Sequence, residues 1–124
     1  MSKALVVDDS RAVRMILSKT LRELGFEVVQ AANGLEALDV MARDGESVQL
    51  ALVDWNMPEM SGIELVRRLR AQSRYDRLQL MMVTTETEIE RITAALEAGA
   101  NEYIMKPFSR EVVEDKLRLL GVIT

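Results

Sequence analysis

Five side chains spread along most of the chain could together move a phosphoryl group: Asp8, Asp9, Asp54, Thr84 and Lys106. Each closes a short β-prone run. Ala4-Leu5-Val6-Val7 runs into Asp8-Asp9-Ser10, Leu50-Ala51-Leu52-Val53 into Asp54-Trp55-Asn56-Met57-Pro58, Leu78 to Val83 into Thr84-Thr85, and Glu102 to Met105 into Lys106-Pro107. Apolar runs bounded by polar residues and Pro suit strands buried on both faces of a parallel sheet. In open α/β sheets the carboxyl ends of the strands line the ligand crevice. Three carboxylates gathered there repel one another by roughly 4 kcal/mol per pair at 4 Å and an effective dielectric of ~20. Something positive has to stand between them. Lys106 supplies one charge, and a hard divalent cation that takes oxygen ligands answers the need better. Mg2+ suits such a site, because it uses one or two carboxylates, keeps several waters and is commonly completed by a phosphate oxygen. The chain has no His and no Cys, so any metal must be held by oxygen. Asp54 is then the nucleophile that forms an acyl phosphate, with the metal, the Lys106 ammonium and the Thr84 hydroxyl around the incoming phosphoryl oxygens.

Each of these residues also has a plainer reading. A lone Asp after a strand starts turns for local hydrogen-bonding reasons. Asp8-Asp9 fits an acidic lead-in to a helix whose N-terminal dipole favours negative charge. Thr84 and Thr85 are ordinary strand residues, and Met81-Met82 reads as core filler. Trp55 reads as a partly exposed aromatic beside the site. The coincidence of several strand ends with matching chemistry favours the functional reading over the sum of the plain ones.

The elements that must position this set are well signalled. A length of 124 residues suits one domain over residues 1–124, and 48% apolar with 29% charged residues is ordinary for a soluble globular chain. A net charge of -4 argues against unassisted nucleic-acid binding. No apolar run approaches the ~20 residues of a membrane span, and Met1 to Asp9 lacks the apolar core and cleavage site of a signal peptide, so a cytoplasmic location is expected. Met1-Ser2-Lys3 reads as a natural start.

After the first strand, Ser10 reads as an N-cap, followed by a helix with Val13, Ile16, Leu17, Thr20, Leu21 and Leu24 on one face and Gly25 at its end. Phe26 to Ala31 is a second strand, and Asn33-Gly34 opens a helix to about Arg43. Val48 to Val53 is the third strand, and Ser61 to about Gln72 a helix with Ile63, Val66 and Leu69 in phase. Leu78 to Thr84 is the fourth strand, with a helix from Glu88 to Ala98 ended by Gly99. Glu102 to Lys106 is the fifth strand, and the last helix runs from Ser109 to Leu120. Five strand-then-helix units with short connections imply a doubly wound α/β fold: parallel strands, right-handed crossovers and helices on both faces.

Val7-Asp8-Asp9-Ser10, Asp54-Trp55-Asn56-Met57-Pro58, Met82-Val83-Thr84-Thr85-Glu86 and Tyr103-Ile104-Met105-Lys106-Pro107-Phe108 together resemble the receiver domains of bacterial two-component response regulators. Within that family the chain is most similar to stand-alone, CheY-like chemotaxis regulators. The resemblance covers the whole chain and implies a flavodoxin-like sheet of strand order 2-1-3-4-5. It implies Asp54 as phosphoacceptor, Asp9 as a direct Mg2+ ligand, Asp8 as a partner of the metal through water and the Asn56 carbonyl as a further ligand. Lys106 would pair with the phosphoryl group, and the Lys106-Pro107 bond would be cis. Thr84 would swing toward the phosphoryl oxygen, and Tyr103 would follow from an outward to an inward rotamer. Asn56 and Glu86 would tune the lifetime of the phosphoryl group. Thr85 departs from the smaller residue often found there and narrows the channel that Tyr103 would enter.

The resemblance further implies a histidine kinase as phosphodonor and a downstream protein such as a flagellar motor switch protein as target, bound by a monomer. The output surface combines the fourth helix, fifth strand and fifth helix, with Ile92, Tyr103, Met105, Val113 and Lys116 as candidates; Ile92 and Val113 fit core positions equally well. Such a protein is no enzyme beyond its own phosphotransfer and autodephosphorylation. Alternatives are a single-domain receiver in a phosphorelay outside chemotaxis, a piece of a larger regulator, and a phosphatase of the haloacid dehalogenase class. The last needs a second Asp where Asn56 stands. A flavodoxin-like small-molecule binder lacks the phosphate-binding glycines it would need.

Overall fold

The computed structural model describes residues 2–85 and 89–123. The chain alternates β1 (Lys3–Val7), α1 (Arg11–Glu23), β2 (Glu27–Ala31), α2 (Gly34–Asp44), β3 (Val48–Asp54), α3 (Gly62–Arg70), β4 (Gln79–Thr84), α4 (Ile89–Ala98), β5 (Glu102–Met105) and α5 (Arg110–Leu119), with short 3-10 turns at Gly45–Ser47 and Ser73–Tyr75. The five strands form one parallel sheet in the order β2-β1-β3-β4-β5, as the resemblance implied. Observed boundaries lie within about two residues of those expected. The helix starts follow from local chemistry: the side chains of Ser10, Asn33, Ser61 and Ser109 each accept a hydrogen bond from the backbone N–H three residues on. Gly25, at φ +98°, ends α1 in the left-handed region.

Strand alternation divides the core in two. Leu5, Val7, Ala51, Val53, Leu80 and Met82 face α2, α3 and α4, whereas Ala4, Val6, Leu50, Leu52, Met81, Val83 and Ile104 face α1 and α5. Met81 and Met82 are fully buried, one on each side, as expected of core filler. One helix phase differs from expectation. Ile16 is 57% exposed, beside Met15. The buried stripe of α1 runs through Val13, Leu17, Leu21 and Leu24, with Ser18 buried beside Leu17; the buried face therefore lies on the Ser18 side of Leu17, and Ile16, turned about 100° the other way, points outward.

The end of the sheet opposite the acidic strand ends is tied by one side chain. Arg70, at the close of α3, donates to the carbonyls of Gly99, Tyr75 and Leu78 and to Asn101 Oδ1, at 2.7–2.8 Å. Asn101 Oδ1 in turn accepts from Leu80 N. Burial lowers the Arg70 pKa, partly offset by Asp76, yet the group stays charged. Replacing Arg70 by Leu strips partners from three carbonyls at once. Urea unfolding is expected to show a loss of about 3 kcal/mol at an unchanged m-value. Lys in its place recovers only part, because a single ammonium cannot reproduce the guanidinium fork.

Candidate functional site

Parallel register decides which strand ends meet. Val7 pairs with Val53, Asp54 with Val83 and Thr84 with Met105, so Asp8, Asp54, Thr84 and Lys106 stand along one edge. Oxygens of Asp8, Asp9 and Asp54 all lie within 4.8 Å of one another. Asp8 and Asp54 are buried and Asp9 is exposed. Lys106 Nζ sits 3.2 Å from Asp8 Oδ2 and 3.2 Å from Asp54 Oδ1, bridging the two buried carboxylates.

Local hydrogen bonds hold the cluster. Ser10 N donates to Asp8 Oδ1 at 2.8 Å, and an Arg14 guanidinium N–H donates to the Asp8 carbonyl at 2.7 Å. Trp55 N donates to Val83 O and Gly62 N to Trp55 O, so both sides of the loop after Asp54 are pinned. Gly62 is required there. A Cβ on it would fall on the Asp54 carbonyl oxygen, a contact that no sequence periodicity signals.

The charge balance is strained toward the negative. Burial raises the Asp54 pKa, Asp8 raises it further, Lys106 opposes this, and Asp9 adds a smaller upward push. For Lys106 burial acts downward, but the hydrogen bond and charge of Asp54 and then Asp8 outweigh it, and the net shift is upward. One ammonium thus serves carboxylates that it does not neutralise. An all-carboxylate donor set with excess negative charge fits a hard divalent cation such as Mg2+.

The remaining expected residues fall into place unevenly. Thr84 is buried, and the β4–β5 register puts it on the same face as Tyr103, whose partner is Met82 two pairs earlier. Tyr103 is half-buried against the core on the α4 side. Thr85 and Asn56 are exposed, and the Lys106-Pro107 bond is cis. Glu86 lies outside the described residues. Trp55 is more enclosed than expected, at 9% exposure, because it continues the alternation of β3 and shares the inward face of Val53. The Arg91 guanidinium of α4 stands 5.7 Å from its ring centre, a contact that sequence reasoning missed.

Of the residues expected on the output surface, Met105 is 42% exposed and Ile92 is half-buried. Val113 is not on that surface. It is fully buried beneath the sheet with Leu117, because α5 turns that stripe inward; Val112, 40% exposed, takes the outward place. A groove of about 270 Å³ runs there, lined by Tyr103, Met105, Pro107, Val112 and Lys116.

Residues 4–118 match the family model of the response regulator receiver domain. The chain belongs to that family. Among receiver-domain relatives it is 46% identical over 116 residues to a chemotaxis protein CheY homolog of Campylobacter jejuni strain 81-176, covering 93% of this chain and 88% of the relative. It is 41% identical to chemotaxis protein CheY1 of Helicobacter pylori strain 26695, with 95% of each chain covered. The solved structure of chemotaxis protein CheY4 of Vibrio cholerae superposes with a TM-score of 0.90 at 38% identity, covering 97% of this chain and 98% of that one. The fold, the strand order and the kinship to CheY-type receivers are thereby shown. Receivers of this type are signalling proteins and not classical enzymes. Among the described residues no helix is long and apolar enough to cross a membrane.

Proposed function

We propose that this receiver takes a phosphoryl group on Asp54 from a histidine kinase and signals in chemotaxis through phosphorylation-dependent binding of a motor switch protein. The observation that carries the reading is the cluster itself: a buried carboxylate with two further carboxylates within 4.8 Å and a lysine bridging at 3.2 Å. An Asp54 carboxylate oxygen attacks phosphorus, the phosphorus–nitrogen bond to the kinase imidazole breaks, and the departing imidazole takes a proton. Lys106 Nζ donates to a phosphoryl oxygen, and the Thr84 hydroxyl turns toward another. When bound by Asp8, Asp9, Asp54 and the Asn56 carbonyl, Mg2+ supplies the positive charge that lets phosphoryl oxygens approach these carboxylates. Thr84 leaving its resting place opens room on the face it shares with Tyr103. The ring then moves inward, and the surface of α4, β5 and α5 changes shape. Asn56 and Glu86 flank the approach of hydrolytic water.

The test is incubation of the full chain with Mg2+ and acetyl phosphate, followed by mapping of the acid-stable, hydroxylamine-labile phosphoryl group. Label on residue 54 supports the reading; label elsewhere, or none, overturns it. Lys106→Ala adds a second expectation. Without its ammonium, two buried carboxylates face each other, so the metal-free protein is expected to lose about 2–3 kcal/mol. Mg2+ then restores more stability in the variant than in the parent, which paired melting curves measure. Phosphorylation continues slowly in this variant, but the change at Tyr103 no longer follows it.

A further inference from the structure

Tyr103 is gripped from outside the phosphorylation site. Its backbone N–H donates to Glu102 Oε1 at 3.1 Å, and the same oxygen accepts from Lys116 Nζ at 3.0 Å. The ammonium so placed lies 4.7 Å from the centre of the Tyr103 ring, within reach of a cation–π attraction. The Lys116 and Glu102 side chains are only 26% and 20% exposed, so this pair is shielded more than an ordinary surface bridge. Lys116 projects from α5, whose Val113 and Leu117 pack beneath one face of the sheet, whereas Tyr103 packs on the other face. Lys116 therefore reaches around β5, the edge strand, to meet the ring.

We propose that Glu102 and Lys116 are positioning residues for Tyr103. One carboxylate oxygen, fixed by two donors, fixes the ammonium, and the ammonium holds the ring at the sheet edge while Asp54 is unmodified. Inward movement of the ring toward Thr84 draws it away from Nζ and gives up the contact. The pair thus opposes the active conformer and sets how much of it is populated at rest. This rests on the reading of Thr84 and Tyr103 as a coupled switch driven by the Asp54 phosphoryl group.

The test titrates the full chain with beryllofluoride in saturating Mg2+, read by Trp55 fluorescence and by the Tyr103 ring resonances. Lys116→Met and Glu102→Gln are each expected to bind beryllofluoride about two- to fivefold more tightly, the range of one part-exposed cation–π contact. These substitutions change the net charge in opposite directions, so a general electrostatic effect on an anionic ligand would drive them apart. Lys116→Arg keeps a cation over the ring and is expected to match the parent. In a Tyr103→Leu background, Lys116→Met is expected to change nothing. A parent that responds normally while the Met and Gln variants bind no more tightly overturns the positioning role alone. A parent that gives no response at all overturns the phosphoacceptor reading and this inference with it.

Discussion

Asp54→Asn is expected to abolish phosphoryl uptake from acetyl phosphate while making the metal-free protein more stable near neutral pH. The first effect follows because an amide oxygen is a poor nucleophile toward phosphorus and forms no stable acyl phosphate. The second follows from the sign of the shift. Burial, then Asp8 and Asp9, hold the Asp54 pKa above its usual 3.8, with Lys106 countering only part. A carboxyl whose pKa is raised by folding favours the folded state while it is protonated. That contribution is complete below the unfolded value and is lost as pH rises through the folded one. Asn never ionises and escapes the loss. The melting temperatures of parent and variant should therefore converge below about pH 3.8 and separate above the raised value. A few degrees is the separation expected for about 1 kcal/mol in a domain of this length. Mg2+ narrows the gap, because it binds the parent's three carboxylates better than the variant's two. Uptake at the parent rate in the variant would place the nucleophile elsewhere, and a variant less stable at neutral pH would mean that Lys106 overcompensates the cluster.

Gly62→Ala carries the largest expected structural effect. The added methyl meets the Asp54 carbonyl oxygen, with the Asp54 carbonyl carbon at 2.9 Å and Met82 Cε at 3.0 Å. The Met82 methyl is the end of a flexible side chain and can yield, whereas the backbone of Asp54 belongs to the central strand. Either α3 lifts from the sheet, breaking the bond from Gly62 N to Trp55 O, or the end of β3 moves and takes the nucleophile with it. Overpacking at such a site costs about 2–3 kcal/mol in urea unfolding. A displacement of the reacting group near 1 Å slows phosphorylation about 100-fold. Gly25→Ala is the matched control. No atom lies within 4 Å of a Cβ there, and only the φ of +98° is strained, so the expected cost is about 1 kcal/mol with no change in phosphorylation. Equal costs at the two glycines would remove the close approach as the cause.

Lys116 and Glu102 show how far local signals reach. Lys116 was legible as a charge near the output surface, but its partner was not, since an i to i+14 pairing depends on how α5 lies along β5. Val113 and Ile16 make the same point for apolar residues. Each satisfies a helical spacing that also accommodates a neighbouring stripe, and only contact with the sheet selects the rotation. Trp55, expected from the sequence to be partly exposed beside the site, is enclosed because the strand pattern extends through it.

The amino-acid sequence by itself determined the alternation of strands and helices, and with it the convergence of Asp8, Asp9, Asp54, Thr84 and Lys106. Hydrophobic period and turn chemistry are local properties, and parallel strands necessarily end on one side. Tertiary structure alone decided the 3.2 Å bridges of Lys106, the closeness of Gly62 to the Asp54 carbonyl, and the grip of Lys116 on Tyr103. These depend on the separation and rotation of whole elements, which packing fixes to within an ångström and sequence spacing does not encode.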